Sequence, residues 1–246
     1  MGARLAVHLR ASRRCVFLTG AGVSTASGIP DFRGDHGLWS REDAARVATI
    51  DGFLHDPRGF YAFWGDKFAL ADRAEPNDAH IVIARLEARG LVRAVVTQNV
   101  DGLHQRAGSR EVHEVHGRFR TARCLTCGRR YETRTFMAGL RRGEEPRCDA
   151  CGGLVKPDVV LFGDPLDEDF EAARRAVSSC DLLVVVGTSL GVAPVSDLVP
   201  LALSHGAKLA IVNRDATPYD ADADLTLDGD LVQRLRELAE DLSIRL

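Results

Sequence analysis

Four of the six cysteines in this 246-residue chain fall into two pairs of identical spacing. Cys124-Leu-Thr-Cys127 is followed, after twenty residues, by Cys148-Asp-Ala-Cys151, and a glycine trails each pair, Gly128 or Gly152. Two such knuckles can bring four thiolates to the corners of a tetrahedron, the geometry of a closed structural zinc site. Four sulfur ligands leave no open position for water, so such a metal holds the fold and does no chemistry. The alternative is free or redox-active cysteines; without a signal-peptide pattern, the paired spacing favours metal over disulfides. Cys15 and Cys180 stand alone beside apolar runs and read as small core residues.

A second group suits a phosphate-bearing ligand. Gly20-Ala21-Gly22-Val23-Ser24-Thr25 follows an apolar run and half-matches the dinucleotide fingerprint, with Thr25 in the place of the third glycine. Glycines let a backbone approach a pyrophosphate, and a helix N-terminus beyond them would face it. An ordinary strand-to-helix turn explains the same residues. No conventional ribose-binding acid ends a second strand, although Asn213-Arg214-Asp215 could fill that role. The run continues to Asp31-Phe32-Arg33-Gly34. An acid, an aromatic and a base beside a phosphate turn suggest a lid that orders on a ligand; a solvated loop with one buried phenylalanine is the plainer explanation. His113 and His116 have a spacing that a metal pair on a helix could use. The alternating Glu-Val-His pattern and the following Gly117 fit a strand or turn better.

These groups need a scaffold, and the apolar runs supply one. Cys15–Thr19, Arg93–Thr97, Leu182–Val186 and Lys208–Val212 are short, continuous and mostly apolar, and each leads into a turn. Continuous apolar strands alternating with helical patterns imply a parallel sheet covered on both faces. His80–Arg89 and Phe170–Val177 read as crossover helices, Leu231–Leu242 as a closing helix, and residues 1–13 as a short amphipathic helix. The stretch from Glu111 to Gly163 breaks this rhythm and reads as an inserted module. Residues 34–75 are rich in aromatics, among them Trp39, Phe60, Tyr61, Trp64 and Phe68, and are expected to form a loop and short helices over the cleft. The expected fold class is therefore α/β: a Rossmann-like parallel-sheet domain (1–33, 76–110, 164–246) with a smaller zinc-ribbon and helical module (34–75, 111–163).

Composition bounds the function. A net charge of -3, with 32 basic and 35 acidic residues, argues against a dedicated nucleic-acid binder. The longest apolar run is far too short to span a bilayer. Arg4, Arg10, Arg13 and Arg14 precede the first acid, Asp31, which resembles a transit peptide in charge only. The chain starts Met-Gly, but Ala6 breaks the myristoylation pattern. A cytoplasmic monomer is expected.

The motifs together resemble the sirtuin family. Gly20 to Arg33 is similar to its cofactor motif, and Thr97-Gln98-Asn99-Val100-Asp101-Gly102-Leu103-His104 to its second signature. His116-Gly117, the cysteine pairs, Pro157-Asp-Val-Val-Leu-Phe-Gly163 and Gly187-Thr-Ser-Leu190 complete the order, from about residue 12 to the C-terminus. The resemblance implies an NAD-dependent protein-lysine deacylase, with NAD as cosubstrate, one structural zinc, and acylated-lysine proteins as partners. It implies that the acyl oxygen attacks the ribose carbon as nicotinamide leaves, giving deacylated lysine and an O-acyl-ADP-ribose. It implies His116 as the base for a ribose hydroxyl, a role suited to an imidazole that titrates near neutrality. Asn99 and Asp101 would line the nicotinamide pocket. Gln98 would contact the ribose, with Val100 beside it. Gly20, Ala21, Gly22, Thr25, Asp31, Phe32 and Arg33 would form the cofactor loop, with Phe32 shielding the reactive carbon from water. Gly187, Thr188, Ser189, Asn213, Arg214 and Asp230 would line the adenosine half.

Substrate is expected between Val159-Val160-Leu161-Phe162-Gly163 and Gly191-Val192-Ala193, two extended-looking stretches with backbone groups to spare, where a peptide could add as a strand. Members of the family that favour acidic acyl groups carry Tyr-x-x-Arg. Here Tyr61-Ala62-Phe63-Trp64 keeps the tyrosine and puts tryptophan in the place of arginine. A buried succinyl carboxylate would have no cation, so acetyl or longer neutral groups are expected. Asp164 stands where the family usually has Glu. Two other functions compete: an NAD-dependent mono-ADP-ribosyltransferase, separable by product mass, and a non-catalytic zinc-ribbon module, which would need neither His116 nor an intact cofactor loop.

Overall fold

The computed structural model describes residues 2–31, 47–140, 142 and 144–246. Phe32, Arg33 and the stretch to residue 46 lie outside the described residues.

The apolar runs form the strands expected of them. β1 (Cys15–Thr19), β2 (Ala94–Thr97), β7 (Leu182–Val186) and β8 (Lys208–Val212) join the short β3 (Val112–Glu114) and β9 (Leu225–Leu227). All six pair in parallel in the order β3-β2-β1-β7-β8-β9. Alternate residues of each strand feed two separate cores, as the pleat requires. On one face Phe17, Val95, Val184 and Val212 meet Leu5 and Leu9 of α1 (Gly2–Ala11). Val82 and Leu86 of α4 (Asp78–Ala88) and Leu235 and Leu238 of α9 (Leu231–Asp241) complete that layer. On the other face Val16, Leu18, Val185 and Ile211 meet α7 (Glu168–Ser178) through Phe170, Ala173 and Val177, and α8 (Leu198–Ser204) through Leu198 and Val199.

The second, smaller sheet is antiparallel, in the order β5 (Arg130–Glu132), β4 (Gly117–Cys124), β6 (Val155–Val159). Two helices pack beside it, α2 (Ile50–His55) and α3 (Pro57–Arg73); two short ones, α5 (Leu103–Ala107) and α6 (Met137–Leu140), come later in the chain. The expectation of short helices in this region understated α3, which runs for 17 residues. Asp56 accepts from Gly59 N–H and Pro57 takes the first helical position, a strong start signal. Phe60, Trp64 and Phe68 recur every fourth residue on one face, and Phe68 stacks on Phe119 of β4 at 5.7 Å. The boundary expected at Glu111 falls just before β3, which pairs with β2 in the large sheet. Only one of its three residues is apolar, so the sequence carries little strand signal there. Among the described residues no helix is long and apolar enough to cross a membrane.

Candidate active site

The strand order reverses about β1, with β2 on one side and β7 on the other. In open α/β sheets such a point, at the carboxyl ends of the strands, opens the crevice in which ligands bind. Here the crevice is a cavity of about 880 Å³. Its floor comes from the turns after β1, β2, β7 and β8, and its roof from α3 and the segment after β6.

The turn after β1 departs from the dinucleotide pattern. Ala21–Ser27 is a 3₁₀ helix, ended by Gly28 at φ 84°, so no α-helix N-terminus follows the glycines. Thr25 at the third-glycine position returns its hydroxyl to the Gly22 carbonyl at 2.9 Å. Gly20 and Gly22 are required by the neighbouring turn. A Cβ on Gly20 would lie 2.6 Å from Thr188 Cβ, and one on Gly22 2.8 Å from Gly187 Cα. The two turns are joined by Gly22 N–H to Gly187 C=O, 2.9 Å. Ala21, Gly22, Thr25 and Asp31 line the cleft, while Gly20 sits behind it. Beyond β7 and β8, Gly187, Thr188, Ser189, Asn213, Arg214 and Asp230 all line the cleft, together with Asp215. Asp230 also caps α9 by accepting from Gln233 N–H at 2.8 Å.

The turn after β2 brings Gln98, Asn99 and Val100 to the cleft wall. Gln98 Nε2 donates to Thr188 Oγ1 at 2.9 Å, tying the two strand ends together. Asn99 Nδ2 donates to Gly20 C=O at 3.1 Å and to Ser24 Oγ at 3.0 Å. Ser24 donates in turn to Asp101 Oδ2 at 2.7 Å. Asp101 is buried one layer behind the wall, held by Ser24 and by Leu103 N–H at 2.9 Å, and burial raises its pKa. Ser24 and His80 are the polar residues that sequence reasoning passed over. His80 Nδ1 accepts from Asn77 N–H at 3.4 Å, so Nε2 carries its proton and points to Ser24 Oγ, also at 3.4 Å. For Ser24 the signal was its place inside the glycine motif. For His80 there was none beyond a histidine at a helix start.

His116 stands where the chain leaves the large sheet for the small one. Gly117 follows at φ 74°, and a Cβ there would lie 2.0 Å from Asp158 C=O, so the bend demands glycine. The imidazole lines the cleft, with Nδ1 3.1 Å from the Gln98 carbonyl. A carbonyl only accepts, so Nδ1 bears the proton and Nε2 the lone pair. Burial lowers its pKa, with the bond to Gln98 opposing, so the ring is neutral at pH 7. His113 is buried on β3, beside Glu111 at 3.5 Å.

The segment after β6 lines the cleft from Val159 to Gly163. It has fewer backbone groups to spare than its sequence suggests. Val160 N–H goes to His116 C=O, Phe162 N–H to Ala48 C=O, and Ile50 N–H to Phe162 C=O, at 2.9–3.0 Å. Lys156, although buried, donates to Val159 C=O at 2.8 Å and pairs with Asp164 Oδ2 at 2.7 Å. The same carboxylate oxygen takes Leu161 N–H at 2.9 Å. Asp164 thus closes the segment into a loop. Opposite it, Val192 lines the cleft, but Gly191-Val192-Ala193 is a bend into a 3₁₀ turn at Val195–Asp197 and not an extended stretch. Ser196 N–H caps it on Val192 C=O. Phe60, Trp64 and Phe68 give the cleft an aromatic wall. Tyr61 turns away and donates its hydroxyl to Val155 C=O at 2.7 Å.

The four paired cysteines lie apart from this cleft, at the far end of β4 and β6. Their sulfurs all lie within 4.8 Å of one another. Cys124 and Cys151 are 3.5 Å apart and Cys127 and Cys148 3.6 Å, close to the edge of about 3.8 Å that a tetrahedron with zinc–sulfur bonds requires. Both knuckles have one backbone form: Gly128 N–H returns to Cys124 C=O, Gly152 N–H to Cys148 C=O, each at 2.9 Å with φ near 73°. Tyr131 Oη lies 3.0 Å from Cys148 Sγ, a hydrogen bond that supports a thiolate ligand. The donor set and its geometry fit one structural zinc.

The same arrangement recurs in known proteins. The Sir2 family model matches residues 20–194. An NAD-dependent protein deacylase of Archaeoglobus fulgidus is 46% identical over 95% of this chain and 93% of its own. An NAD-dependent protein deacetylase of Thermotoga maritima is 41% identical over 95% of each. Among solved structures, a Sir2 variant with a deacetylated p53 peptide and 3'-O-acetyl ADP-ribose superposes with a TM-score of 0.95, at 39% identity over 98% of both chains. A Sir2 protein bound to a propionylated peptide gives 0.91 at 38% identity over the whole of both chains. With its parallel sheet, four-cysteine cluster and cleft-lining histidine in the same chain, this protein belongs to the Sir2 family.

Proposed function

We propose that this protein is an NAD-dependent protein-lysine deacylase with His116 as its base. The observation that carries this is the fixed tautomer of His116: the Gln98 carbonyl holds Nδ1–H and leaves Nε2 with a lone pair, in a cleft wide enough for a dinucleotide and a peptide strand. The cleft meets the needs of NAD at both ends. Ala21, Gly22, Thr25 and Asp31 face the turns bearing Thr188, Ser189, Asn213 and Asp230, a polar wall suited to phosphates and riboses. Asn99, Asp101 and Ser24 form a bonded set behind Ala21, suited to a carboxamide. Phe32 and Arg33 are proposed to complete the cofactor loop.

When bound, NAD supplies a ribose carbon that takes the acyl oxygen as nicotinamide departs. His116 Nε2 then accepts the proton of a ribose hydroxyl. Val159–Gly163 and Val192 hold the acyl-lysine strand, and Phe60, Trp64 and Phe68 keep water from the acyl group. The neutral aromatic wall supports acetyl and longer uncharged acyl groups over succinyl. Acylated-lysine proteins are the proposed partners of a protein acting as a monomer, and the net charge of -3 supports a role without nucleic acid. Four cysteines grouped for a metal rather than for disulfides support a reducing, cytoplasmic setting.

An acyl-peptide panel with NAD, read by mass spectrometry, tests this. Wild type should yield nicotinamide, free lysine and O-acyl-ADP-ribose, and His116→Ala almost none. ADP-ribose attached to protein, with the acyl-lysine intact, would favour the transferase instead.

A further inference from the structure

We infer that Glu114 is a positioning residue for His116, acting with Arg118 and Arg120 as a clamp across the bend that carries the imidazole. The inference rests on the proposal that His116 is the base. Glu114 ends β3 and is only 2% exposed. Its carboxylate is forked by Arg120, Nη1 to Oε1 at 2.7 Å and Nη2 to Oε2 at 2.6 Å. Arg118 Nε lies 3.3 Å from Oε2 and its Nη2 reaches Asp169 in the first turn of α7. Both arginines belong to β4, beyond the bend. The side chains at positions 114 and 118 are therefore bonded to each other, with His116 midway between them.

This bend joins two different sheets, so no shared ladder sets its angle. Main-chain bonds hold its flanks: Val115 N–H to Thr97 C=O at 3.0 Å, and Val160 N–H to His116 C=O at 2.9 Å. Gly117 permits the bend and Phe119 N–H to Val100 C=O at 3.3 Å anchors its far side; the charged fork joins the side chains of β3 and β4 across it. A bidentate arginine–carboxylate pair fixes orientation as well as distance. Arg120 is also wedged against the loop bearing Asn99 and Asp101, where a Cβ on Gly102 would come within 2.9 Å of its Nη1. One ion cluster thus orients the base relative to both the nicotinamide-side loop and the Val160 segment. A displacement of about 1 Å in a catalytic group can cost about a hundredfold in rate, so a clamp here acts on turnover more than on binding.

The test uses the full zinc-loaded chain, selectively labelled with 15N-histidine. Glu114→Gln should lower kcat at least about tenfold while KM for NAD and acetyl-peptide stays within about threefold. The ring nitrogens of His116, assigned by loss in His116→Ala, should lose the single Nδ1–H tautomer pattern. Arg120→Lys keeps the charge and loses the fork; it should show the same split and serves if Glu114→Gln does not fold. Glu114→Gln with Arg120→Lys should be no worse than the poorer single variant, because both break one unit. Wild-type kcat and wild-type His116 signals in a folded variant would overturn the inference. So would a fall of kcat and Tm together with a rise of KM beyond about threefold and unchanged His116 signals, which marks a purely structural role. If wild type lacks NAD-dependent turnover, or His116→Ala retains it, the deacylase reading fails; the His116 spectra still decide the clamp.

Discussion

Tyr61 hands its hydroxyl to the carbonyl of Val155, and three residues later on the same helix Trp64 faces the cleft. One turn of α3 therefore divides its aromatics between core and site. The tyrosine serves the small sheet and the indole serves the ligand.

That division predicts the response to an acyl series. Wild type should favour acetyl or longer neutral acyl-lysine over succinyl-lysine in kcat/KM. Trp64→Arg should raise the succinyl-to-acetyl ratio by less than about tenfold, because the tyrosine hydroxyl stays with Val155 and the new cation acts alone. Initial rates on matched peptides measure it, and a wild-type enzyme faster on succinyl-lysine contradicts the assignment.

The bond from His116 to Gln98 sets a pH profile. Burial holds the imidazole below its ordinary value of 6.5, against the opposing hydrogen bond. A base works only unprotonated, so kcat/KM should be flat on descending from about pH 8 and fall only below about pH 6.5. An acid limb centred above pH 7 would count against His116 as the base.

Two other buried histidines set a stability profile. Burial lowers His80 to about 4, and lowers His104 as well. In the unfolded chain both bind protons below about pH 6.5, while the folded chain resists doing so. Unfolding therefore takes up protons, and stability is lost as pH falls from 6.5 towards 4. His80 alone should cost roughly 2 kcal/mol between pH 7 and pH 5, partly offset by Asp101, whose raised pKa acts in the opposite sense. Denaturant unfolding at both pH values checks the sign; rising stability on acidification would be inconsistent with neutral buried imidazoles.

The cysteine cluster should behave as a staple. Cys148→Ser should take the zinc content from one ion per chain to none and lower Tm by more than about 10 °C. Metal analysis beside thermal unfolding tests this. Full activity without metal would sever the small sheet from the cleft it helps to roof.

The sequence by itself determined the chemistry-bearing sets and the strands that present them. Cys15–Thr19, Leu182–Val186 and Lys208–Val212 form strands at the bounds read from their apolar runs, because a strand buried on both faces needs uninterrupted apolar residues. The cysteine knuckles were legible because their ligands are local. What only the tertiary structure decided were relations between distant segments. Gly20 and Gly22 look like phosphate glycines, yet their missing Cβ atoms make room for Gly187 and Thr188, more than 160 residues away. Gly191–Ala193 reads as extended, yet it bends, because turn geometry depends on the helix it enters. Val112–Glu114 carries too few apolar residues to announce a strand, and the neighbouring β2 supplies the pairing. Glu114 shows nothing in sequence of its arginine fork, since a buried charge declares its partners only when the chain brings them within hydrogen-bond distance. Local spacing is written in the chain; the approach of one turn to another is settled only by how whole sheets pack.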